Sequence, residues 1–381
     1  MQYREIGKTG KKAGIIGLGC EHLDGAPLQQ VESVIHTALD RGINYLDCFM
    51  PGKEVRENIA KALGSRRKDV YIQGHLGSTD VGQQYDVSRD LPTIKRYFED
   101  MLRIFGGYID YGMLFFVDSE EDFNKIFDGG IADYARQLKQ NGDIGHIGFG
   151  SHNPLIATKV VETGLAEMMM FSINPAFDLC PSDSNVLDAM MEDRLKGELS
   201  AFDPARASLY QLCEQKGVGI SVMKTLGGGK LVSKEHTPFS KPMSVNQCIH
   251  YALSRPSVFS TLIGCRSVEE VESALSYLEA SDDEKDYTPF LSEIRHGFKG
   301  NCVYCNHCLP CPAGIDIASV NKYLDIALLN EQNIPPSIRS HYEGMDSTGG
   351  DCIACKSCES RCPFGVPVVE NMNQASNLFG K

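Results

Sequence analysis

The 381-residue sequence lacks an excess of basic residues, an apolar leader and any long apolar run. Its 37 lysines and arginines face 50 aspartates and glutamates, and a net charge of −13 argues against nucleic-acid binding, which needs clustered basic side chains. No apolar run approaches the roughly 20 residues that a bilayer-spanning helix needs. The opening Met-Gln-Tyr-Arg-Glu has no signal-peptide core. We therefore expect a cytoplasmic protein with no membrane or nucleic-acid partner.

Cysteine, in contrast, is abundant, with 14 residues. A disulfide framework is not expected in a cytoplasmic chain, because thiol buffers keep cysteines reduced, so metal binding accounts for them better. Eight cysteines crowd into two groups between residues 302 and 362. Most of the other six are expected to be small buried apolar side chains, namely Cys20, Cys48, Cys180, Cys213, Cys248 and Cys265.

Hydrophobic periodicity predicts the fold class. Short β-branched or apolar runs recur, each followed by a helical pattern, which favours an α/β fold built as a (β/α)8 TIM barrel of about 280 residues; a doubly wound sheet is the alternative. The predicted strands are Gly14–Leu18, Ile43–Asp47, Val70–Gly74, Tyr108–Phe115, Ile144–Phe149, Met168–Ile173, Gly219–Met223 and Phe259–Gly264. The predicted helices are Leu28–Arg41, Val55–Leu63, Leu91–Ile104, Glu120–Gln140, Ser244–Leu253 and Val268–Leu278.

Three segments fall outside this repeat. Residues 3–14 predict a Gly-turned hairpin that could plug the barrel floor. The stretch Pro181–Gln215 exceeds one crossover helix and predicts an added loop or helix over one rim. The acidic stretch Asp282–Asp286 predicts a solvated linker, which divides the chain into a barrel domain, 1–285, and a small helical domain, 286–381.

The two cysteine groups have the spacing of a ferredoxin with two [4Fe–4S] clusters. The second group follows the bacterial run C-x2-C-x2-C-x3-C-P, in which three thiolates hold one cubane and the fourth reaches the other. The first group has one residue fewer before its last cysteine. One cluster is therefore assigned to Cys302, Cys305, Cys308 and Cys362, and the other to Cys352, Cys355, Cys358 and Cys311.

Two other interpretations of the cysteines stay open. Pairs of CxxC motifs also make structural zinc sites with four thiolate ligands. The clusters could also transfer no electrons and serve only to staple a segment with a small core.

Further motifs occur in order along the chain: the N-terminal hairpin, Gly42–Asp47, Ile147–His152, Met223–Lys230 and Ile263–Ser267. Together they resemble the aldo/keto reductases. The resemblance is closest to the bacterial subgroup in which a reductase barrel is fused to a C-terminal dicluster ferredoxin.

That resemblance implies NAD(P)H bound in an extended form at the C-terminal mouth of the barrel. The implied contacts are Ser151 and Asn174 near the nicotinamide, Leu226, Gly227 and Gly228 at the pyrophosphate, and Gly264, Cys265, Arg266, Ser267 and Glu270 around the adenosine phosphate. Glu270 stands where many members carry a basic or amide residue, and Ala274 replaces the usual asparagine. NADH, NADPH and loss of nucleotide binding therefore all stay open.

The family's catalytic tetrad of Asp, Tyr, Lys and His is largely substituted. Asp47 matches the aspartate, no tyrosine follows it before Gly52, His75 occupies the lysine position and Phe115 the histidine position. Without the Tyr and Lys, ordinary carbonyl reduction lacks its acid. His75, paired with Asp47, is a candidate replacement acid, with a structural hydrogen bond as the alternative.

Other candidate groups lie near predicted strand ends. His22, in the loop after the first strand, is a second candidate acid. Cys20 and Cys48 are expected to face the barrel mouth, either as redox or nucleophilic thiols or as small packing residues.

Two functions follow. The first is an oxidoreductase that reduces a small carbonyl or activated alkene by a non-standard mechanism, with cluster electrons from a partner ferredoxin or flavoprotein and with or without NAD(P)H. The second is a non-catalytic electron-transfer or partner-binding protein built on a degenerate reductase barrel.

Overall fold

A closed barrel of eight parallel strands forms the body of the protein in a computed structural model, which describes residues 1–81, 84–182, 185–191, 199, 202–292 and 300–381. The strands within these described ranges are β1 (Tyr3–Glu5), β2 (Lys12–Gly14), β3 (Ile16–Gly19), β4 (Tyr45–Cys48), β5 (Tyr71–Leu76), β6 (Ser78–Val81), β7 (Gln84–Val87), β8 (Ile109–Leu114), β9 (Ile144–Ser151), β10 (Met168–Ser172), β11 (Gly219–Met223) and β12 (Val258–Gly264). The barrel order is β3-β4-β5-β8-β9-β10-β11-β12, closed by pairing of β12 with β3. The barrel prediction is confirmed at all eight strands, and the doubly wound alternative is wrong.

Helices alternate with the barrel strands and then form the C-terminal part of the chain. Their bounds are Leu28–Asp40, Lys53–Leu63, Leu91–Ile104, Glu120–Phe127, Ile131–Asn141, Pro154–Glu162, Pro175–Asp178, Val186–Met191, Pro204–Lys216, Val245–Leu253, Val268–Leu275, Asp282–Lys285, Thr288–Ser292, Ile317–Leu328, Pro336–Glu343, Ser357–Arg361 and Val368–Phe379. None of the helices within the described ranges is long and apolar enough to span a bilayer.

One predicted helix is divided in two. The stretch Glu120–Gln140 forms separate helices on either side of Gly129 and Gly130. Gly130 has a left-handed φ of +81°, and a Cβ on Gly129 would lie 2.2 Å from the carbonyl oxygen of Lys125. Only glycine allows both this backbone conformation and this close approach, so the chain turns between the two helices.

The N-terminal hairpin packs at the floor of the barrel, as predicted. Strands β1 and β2 pair antiparallel, and Ile6 and Ala13 are fully buried against the side chains that fill the barrel interior. Those interior side chains are Tyr45, Tyr111, Met113, Met168, Met170, Met223, Phe259 and Leu262. The barrel is therefore a packed core with no open channel through this layer.

A buried ion pair lies where β10 meets the helices around it. The Asp178 carboxylate accepts hydrogen bonds from Arg206 Nε at 3.0 Å, from the Tyr210 hydroxyl at 2.6 Å and from the Tyr251 hydroxyl at 2.7 Å. Arg206 also donates to the Ser172 carbonyl at 2.7 Å. Asp178 and Arg206 are 0% and 1% exposed, so the network holds three helices to the barrel out of contact with water.

The predicted linker is more ordered than expected. Residues 282–285 form a helical turn capped by Ser281, and Tyr287 just after it is fully buried. Between 181 and 215, the insertion adds the helix Val186–Met191. Residues 183–184, 192–198 and 200–201 of that insertion lie outside the described ranges.

Helices from the C-terminal part pack on one another around their own apolar residues. Ile317–Leu328 packs against Val368–Phe379, and Asn371 Nδ2 donates to Asn321 Oδ1 at 2.6 Å between them. Ile338 and Tyr342, from the helix Pro336–Glu343, are also fully buried. These helices support the two cysteine loops.

Candidate functional site

Two small cavities separate the eight C-terminal cysteines into two sets of four. One cavity is lined by Cys302, Cys305, Cys308 and Cys362, together with apolar residues such as Val303 and Phe364. The other is lined by Cys311, Cys352, Cys355 and Cys358. The two cavities are alike in size. Each set takes three cysteines from one loop and one from the other, which is the crossed grouping expected from the spacing.

The two cysteine loops also share an unusual backbone. Tyr304 and Asn306 have φ of +59° and +63°, and the corresponding residues of the second loop, Ala354 and Lys356, have +54° and +59°. Left-handed conformations are unfavourable by roughly 1–2 kcal/mol for residues with a Cβ, and they persist where a functional geometry requires them. Backbone turns of this kind direct N–H groups inward and form anion-binding concavities, including those of iron–sulfur sites.

The arrangement does not suit a single metal ion. Within the described ranges, no three His, Cys, Asp or Glu side chains converge closely enough to bind one ion. A zinc site needs four ligands about 2.3 Å from the same ion, so the zinc interpretation is disfavoured. A cubane instead takes one thiolate on each of its four irons, which spreads the sulfurs around a cavity. Four thiolates around each cavity are the donor set that a [4Fe–4S] cubane would need.

Away from the cysteine loops, the structure brings Asp47 and His75 together inside the barrel mouth. Asp47 Oδ1 lies 2.8 Å from His75 Nε2 and accepts a hydrogen bond from Gln73 Nε2 at 2.7 Å. His75 is 1% exposed, and its Nδ1 has no hydrogen-bond partner. The carboxylate thus holds one ring nitrogen and leaves the other free for a proton transfer.

Aromatic rings cover this pair. Phe49 and Phe115 pack edge-on against the His75 ring, with centroid distances of 6.1 and 5.2 Å. Tyr85, from the hairpin β6–β7 that the sequence analysis did not predict, packs on the same two phenylalanines. Because the His75 side chain is inaccessible, a substrate reaches Nδ1 only after one of these rings moves.

His22 does not join this site. Its ring lies against Gly264, where an added Cβ would come within 2.7 Å of the His22 Cδ2 atom. Within the described ranges, it forms no hydrogen bond or ion pair with Asp47 or His75. The strand-end position was predicted correctly, but the side chain leans toward β12, away from the interior.

A second histidine–carboxylate pair at the mouth was missed by the sequence analysis. His152 Nδ1 lies 2.9 Å from Asp118 Oδ2, while its buried Nε2 has no partner. Its ring packs against Phe116, which has a strained φ of +41°. His152 lies within the motif Ile147–His152, but only the pairing of β8 with β9 brings Asp118, in the loop after β8, beside it.

The residues implied for nicotinamide binding are already engaged. Ser151 Oγ lies 2.8 Å from the Val117 carbonyl and 2.9 Å from Asp118 Oδ1. Asn174 Nδ2 donates to the Lys224 carbonyl at 2.9 Å, and its Oδ1 caps the helix Pro175–Asp178. Both side chains are fully buried. Each side chain is therefore already held by hydrogen bonds within the protein.

The loop that was predicted to bind the pyrophosphate is also held by internal hydrogen bonds. The amide N–H groups of Gly227 and Gly229 donate to carbonyls within the loop, at 2.8 and 3.0 Å. A Cβ on Gly228 would lie 3.3 Å from the sulfur of Met190, so the insertion helix covers this glycine. Leu226 packs against the main core. The N–H groups of Gly227 and Gly229 are thus already engaged within the loop.

The predicted adenosine-phosphate loop is occupied by its own carboxylate. Glu270 Oε2 accepts a hydrogen bond from the Arg266 amide at 2.6 Å, and Ser267 Oγ caps the following helix by accepting from the Glu270 amide. A phosphate would have to displace Glu270 and would be repelled by it. The residues present do not fit a nicotinamide nucleotide in this arrangement.

We accordingly expect neither NADH nor NADPH to bind measurably. In a titration followed by nucleotide fluorescence, the emission should show no enhancement or shift at protein concentrations up to about 100 μM. Any binding that escapes detection there would have a Kd of roughly 1 mM or weaker. Glu270→Gln serves as a comparison, because it removes the negative charge but can still accept the hydrogen bond from the Arg266 amide. Saturable binding by the wild-type protein would contradict this expectation.

Cys20 and Cys48 lie outside the barrel interior, contrary to expectation. Their sulfurs are 3.9 Å apart, both residues are buried, and both pack in the layer between strands and helices. A hydrogen bond with Cys48 and burial raise the pKa of Cys20 well above its ordinary value. Because the thiolate is the nucleophile, this placement favours packing over catalysis.

This burial predicts slow labelling. In the native protein at pH 8, Cys20 should react with a maleimide at least about a hundredfold more slowly than a free cysteine, because both access and thiolate are lacking. Peptide mapping by mass spectrometry after timed labelling measures the rate. Reaction of Cys20 at the rate of an unfolded control would show that the mouth exposes it.

Comparisons with known proteins show which family the barrel resembles. Residues 15–247, more than half of the chain, match the aldo/keto reductase family. An aldo-keto reductase from Bacillus halodurans, in its holo form, is 19% identical with a TM-score of 0.58, over 77% of this chain and 96% of that one. A putative aldo-keto reductase from Pseudomonas aeruginosa is 17% identical with a TM-score of 0.54, over 72% and 96% of the two chains.

At these identities the solved structures support the fold alone. No curated protein matches the sequence. The family match and the closed eight-stranded barrel agree in assigning the larger part of the chain. This chain belongs to the aldo/keto reductase family, whose members are oxidoreductases that typically use NAD(P)H.

Proposed function

We propose that this protein is an iron–sulfur oxidoreductase with a degenerate reductase barrel. The observation that carries the proposal is the crossed grouping of eight cysteines around two cavities of similar size. The repeated left-handed turns of the two cysteine loops support it independently. Cys302, Cys305, Cys308 and Cys362 would hold one [4Fe–4S] cluster, and Cys311, Cys352, Cys355 and Cys358 the other.

When bound, each cluster would accept or supply one electron at a time. The proposed substrate is a small carbonyl compound or activated alkene, whose reduction takes up two electrons and two protons. His75, held at Nε2 by Asp47, would deliver one of these two protons from Nδ1, and solvent water would supply the other. A partner ferredoxin or flavoprotein would be the electron donor. Because the nucleotide residues do not fit, no step is assigned to NAD(P)H.

A second candidate function, a non-catalytic electron-transfer protein, is favoured by where the cysteine loops meet the barrel. Arg255 precedes β12 and donates to the Val303 carbonyl in the first cysteine loop at 2.5 Å. His75 lies at the opposite, C-terminal end of its strand. In a parallel barrel these ends are on opposite faces, about 20 Å apart for a seven-residue strand. The covered mouth and this separation suit a barrel that serves as a scaffold.

Anaerobic purification followed by iron and sulfide analysis tests the proposal. We expect about four irons and four sulfides in each of two clusters per chain, and an EPR signal after reduction by dithionite. Zinc without iron or sulfide would overturn it. If the purified protein holds clusters, the variant His75→Gln separates the two candidates. Loss of turnover of a carbonyl or alkene substrate in this variant favours the enzyme. Electron transfer that is unchanged in this variant favours the second candidate.

A further inference from the structure

Arg255 is a buried cation beside the first cysteine loop. It is 3% exposed and lies between the helix Val245–Leu253 and β12. Its Nη2 donates to the Val303 carbonyl at 2.5 Å and to Ser254 Oγ at 2.9 Å, and lies 3.2 Å from the Tyr287 hydroxyl. The guanidinium therefore contacts the residue directly after Cys302.

This cation has no carboxylate partner among the residues that the structure describes. None lies within 4.0 Å of its nitrogens, whereas the nearby Asp178 is paired with Arg206 at 3.0 Å. Two carboxylates near the same loop have other partners: Asp325 accepts from the Tyr304 hydroxyl at 2.6 Å, and Asp286 Oδ2 lies 3.7 Å from His307 Nδ1. A buried charge is unfavourable unless an opposite charge compensates it, so a negative group is expected next to Arg255.

The aromatic surroundings support this expectation. The rings of Tyr251 and Tyr304 lie 4.6 and 5.5 Å from the guanidinium carbon of Arg255, so they stabilise a cation but do not neutralise it. Arg255 Nε is buried and lacks a hydrogen-bond partner. The site holds a positive charge at the Val303 carbonyl, and Val303 lines the same cavity as Cys302 and Cys305.

We propose that Arg255 is the counter-charge of the cluster held by Cys302, Cys305, Cys308 and Cys362, and that it raises the reduction potential of that cluster above what the loop alone would set. The inference rests on the proposed function. Four thiolates make a cubane negative, and reduction adds one further negative charge. A cation fixed in a low-dielectric environment stabilises the reduced state more than the oxidised state.

A second arginine near the cysteines differs in its exposure. Arg361 Nη2 donates to the carbonyls of Cys308 and Pro310 at 2.5 and 2.8 Å, and its side chain lines the other cavity. Arg361 is partly exposed, so water and salt screen its charge more than that of Arg255. Of these two arginines, Arg255 is the more deeply buried, so its charge is the less screened.

An EPR-monitored redox titration with dithionite and mediators tests the role of Arg255. In Arg255→Gln, we expect full iron content and a potential for one cluster that is more negative, with the equilibrium constant for its reduction lowered at least tenfold, which is about 59 mV for one electron. The other cluster should keep its potential. Arg255→Lys, which keeps the charge, should restore most of the loss.

Two control variants separate charge from loop position. Tyr287→Phe removes the hydroxyl that donates to the Val303 carbonyl at 3.0 Å but leaves the charge, so it should leave the potential unchanged. Arg66→Gln removes an exposed arginine paired with Asp40, remote in sequence from the cysteines, and should also have no effect.

Each outcome decides a different question. A wild-type protein without iron would refute the proposed function itself. Intact clusters with unchanged potentials in Arg255→Gln would refute only the counter-charge, as would an equal shift in Tyr287→Phe. Loss of the cluster itself in Arg255→Gln, with or without rescue by Arg255→Lys, would contradict the expected full iron content and would mean that Arg255 holds the loop in place and does not tune the potential.

Discussion

A protein carrying both Cys311→Ala and Cys355→Ala should keep about half of the wild-type iron, whereas one carrying Cys311→Ala and Cys305→Ala should keep almost none. The first pair lines one cavity, so both changes damage the same proposed cluster. The second pair takes one ligand from each cavity. Iron and sulfide analysis after anaerobic purification, with EPR of the reduced protein, gives the measurement.

The crossed grouping makes this experiment decisive, because Cys311 and Cys305 belong to the same loop. If each loop held its own cluster, the pair in one loop would be the one that leaves half of the iron. Cys213→Ala is the matched control, since Cys213 is fully buried in the barrel and should leave the iron content unchanged.

Replacing Asp178 with asparagine should lower the free energy of unfolding by about 3–5 kcal/mol, because it leaves the Arg206 charge buried without a counter-charge. The two side chains are 0% and 1% exposed, so solvent cannot take over the lost interaction. Urea denaturation followed by far-UV circular dichroism, under anaerobic conditions, measures the change.

An exposed ion pair offers the comparison for this prediction. Arg66 and Asp40 lie 2.6 Å apart with 37% and 68% of their side chains exposed. Pairs of this kind contribute roughly 0–1 kcal/mol, so Asp40→Asn should shift the unfolding midpoint very little. A shift in Asp178→Asn no larger than in Asp40→Asn would show that water reaches the network around Arg206.

Much of the architecture could be predicted, because its signals are local. Each barrel strand is a short apolar run, and the residues between strands repeat with helical periodicity. The break at Gly129 and Gly130 was visible in the sequence, but the helical periodicity on both sides outweighed it. The hairpin β6–β7 lacks a clear alternation and was not recognised.

The candidate site was also predictable only where the signal was present in the sequence itself. Asp47 and His75 could be paired in advance, because a family resemblance placed them on neighbouring strands and the structure brings them to 2.8 Å. Nothing local in the sequence indicates that Ser151 and Asn174 are engaged by internal hydrogen bonds. Those bonds depend on loops that meet only when the barrel closes.

The sequence by itself determined the two cysteine loops, since the spacing of C-x2-C-x2-C is a property of a few adjacent residues and of the chemistry of thiolates. Only the tertiary structure decided what surrounds them. Arg255 is 48 residues from Val303, and His152 is 34 from Asp118. Contacts at such separations arise from the packing of whole helices and strands. This packing decides which charges are buried, which are paired and which remain available to a ligand.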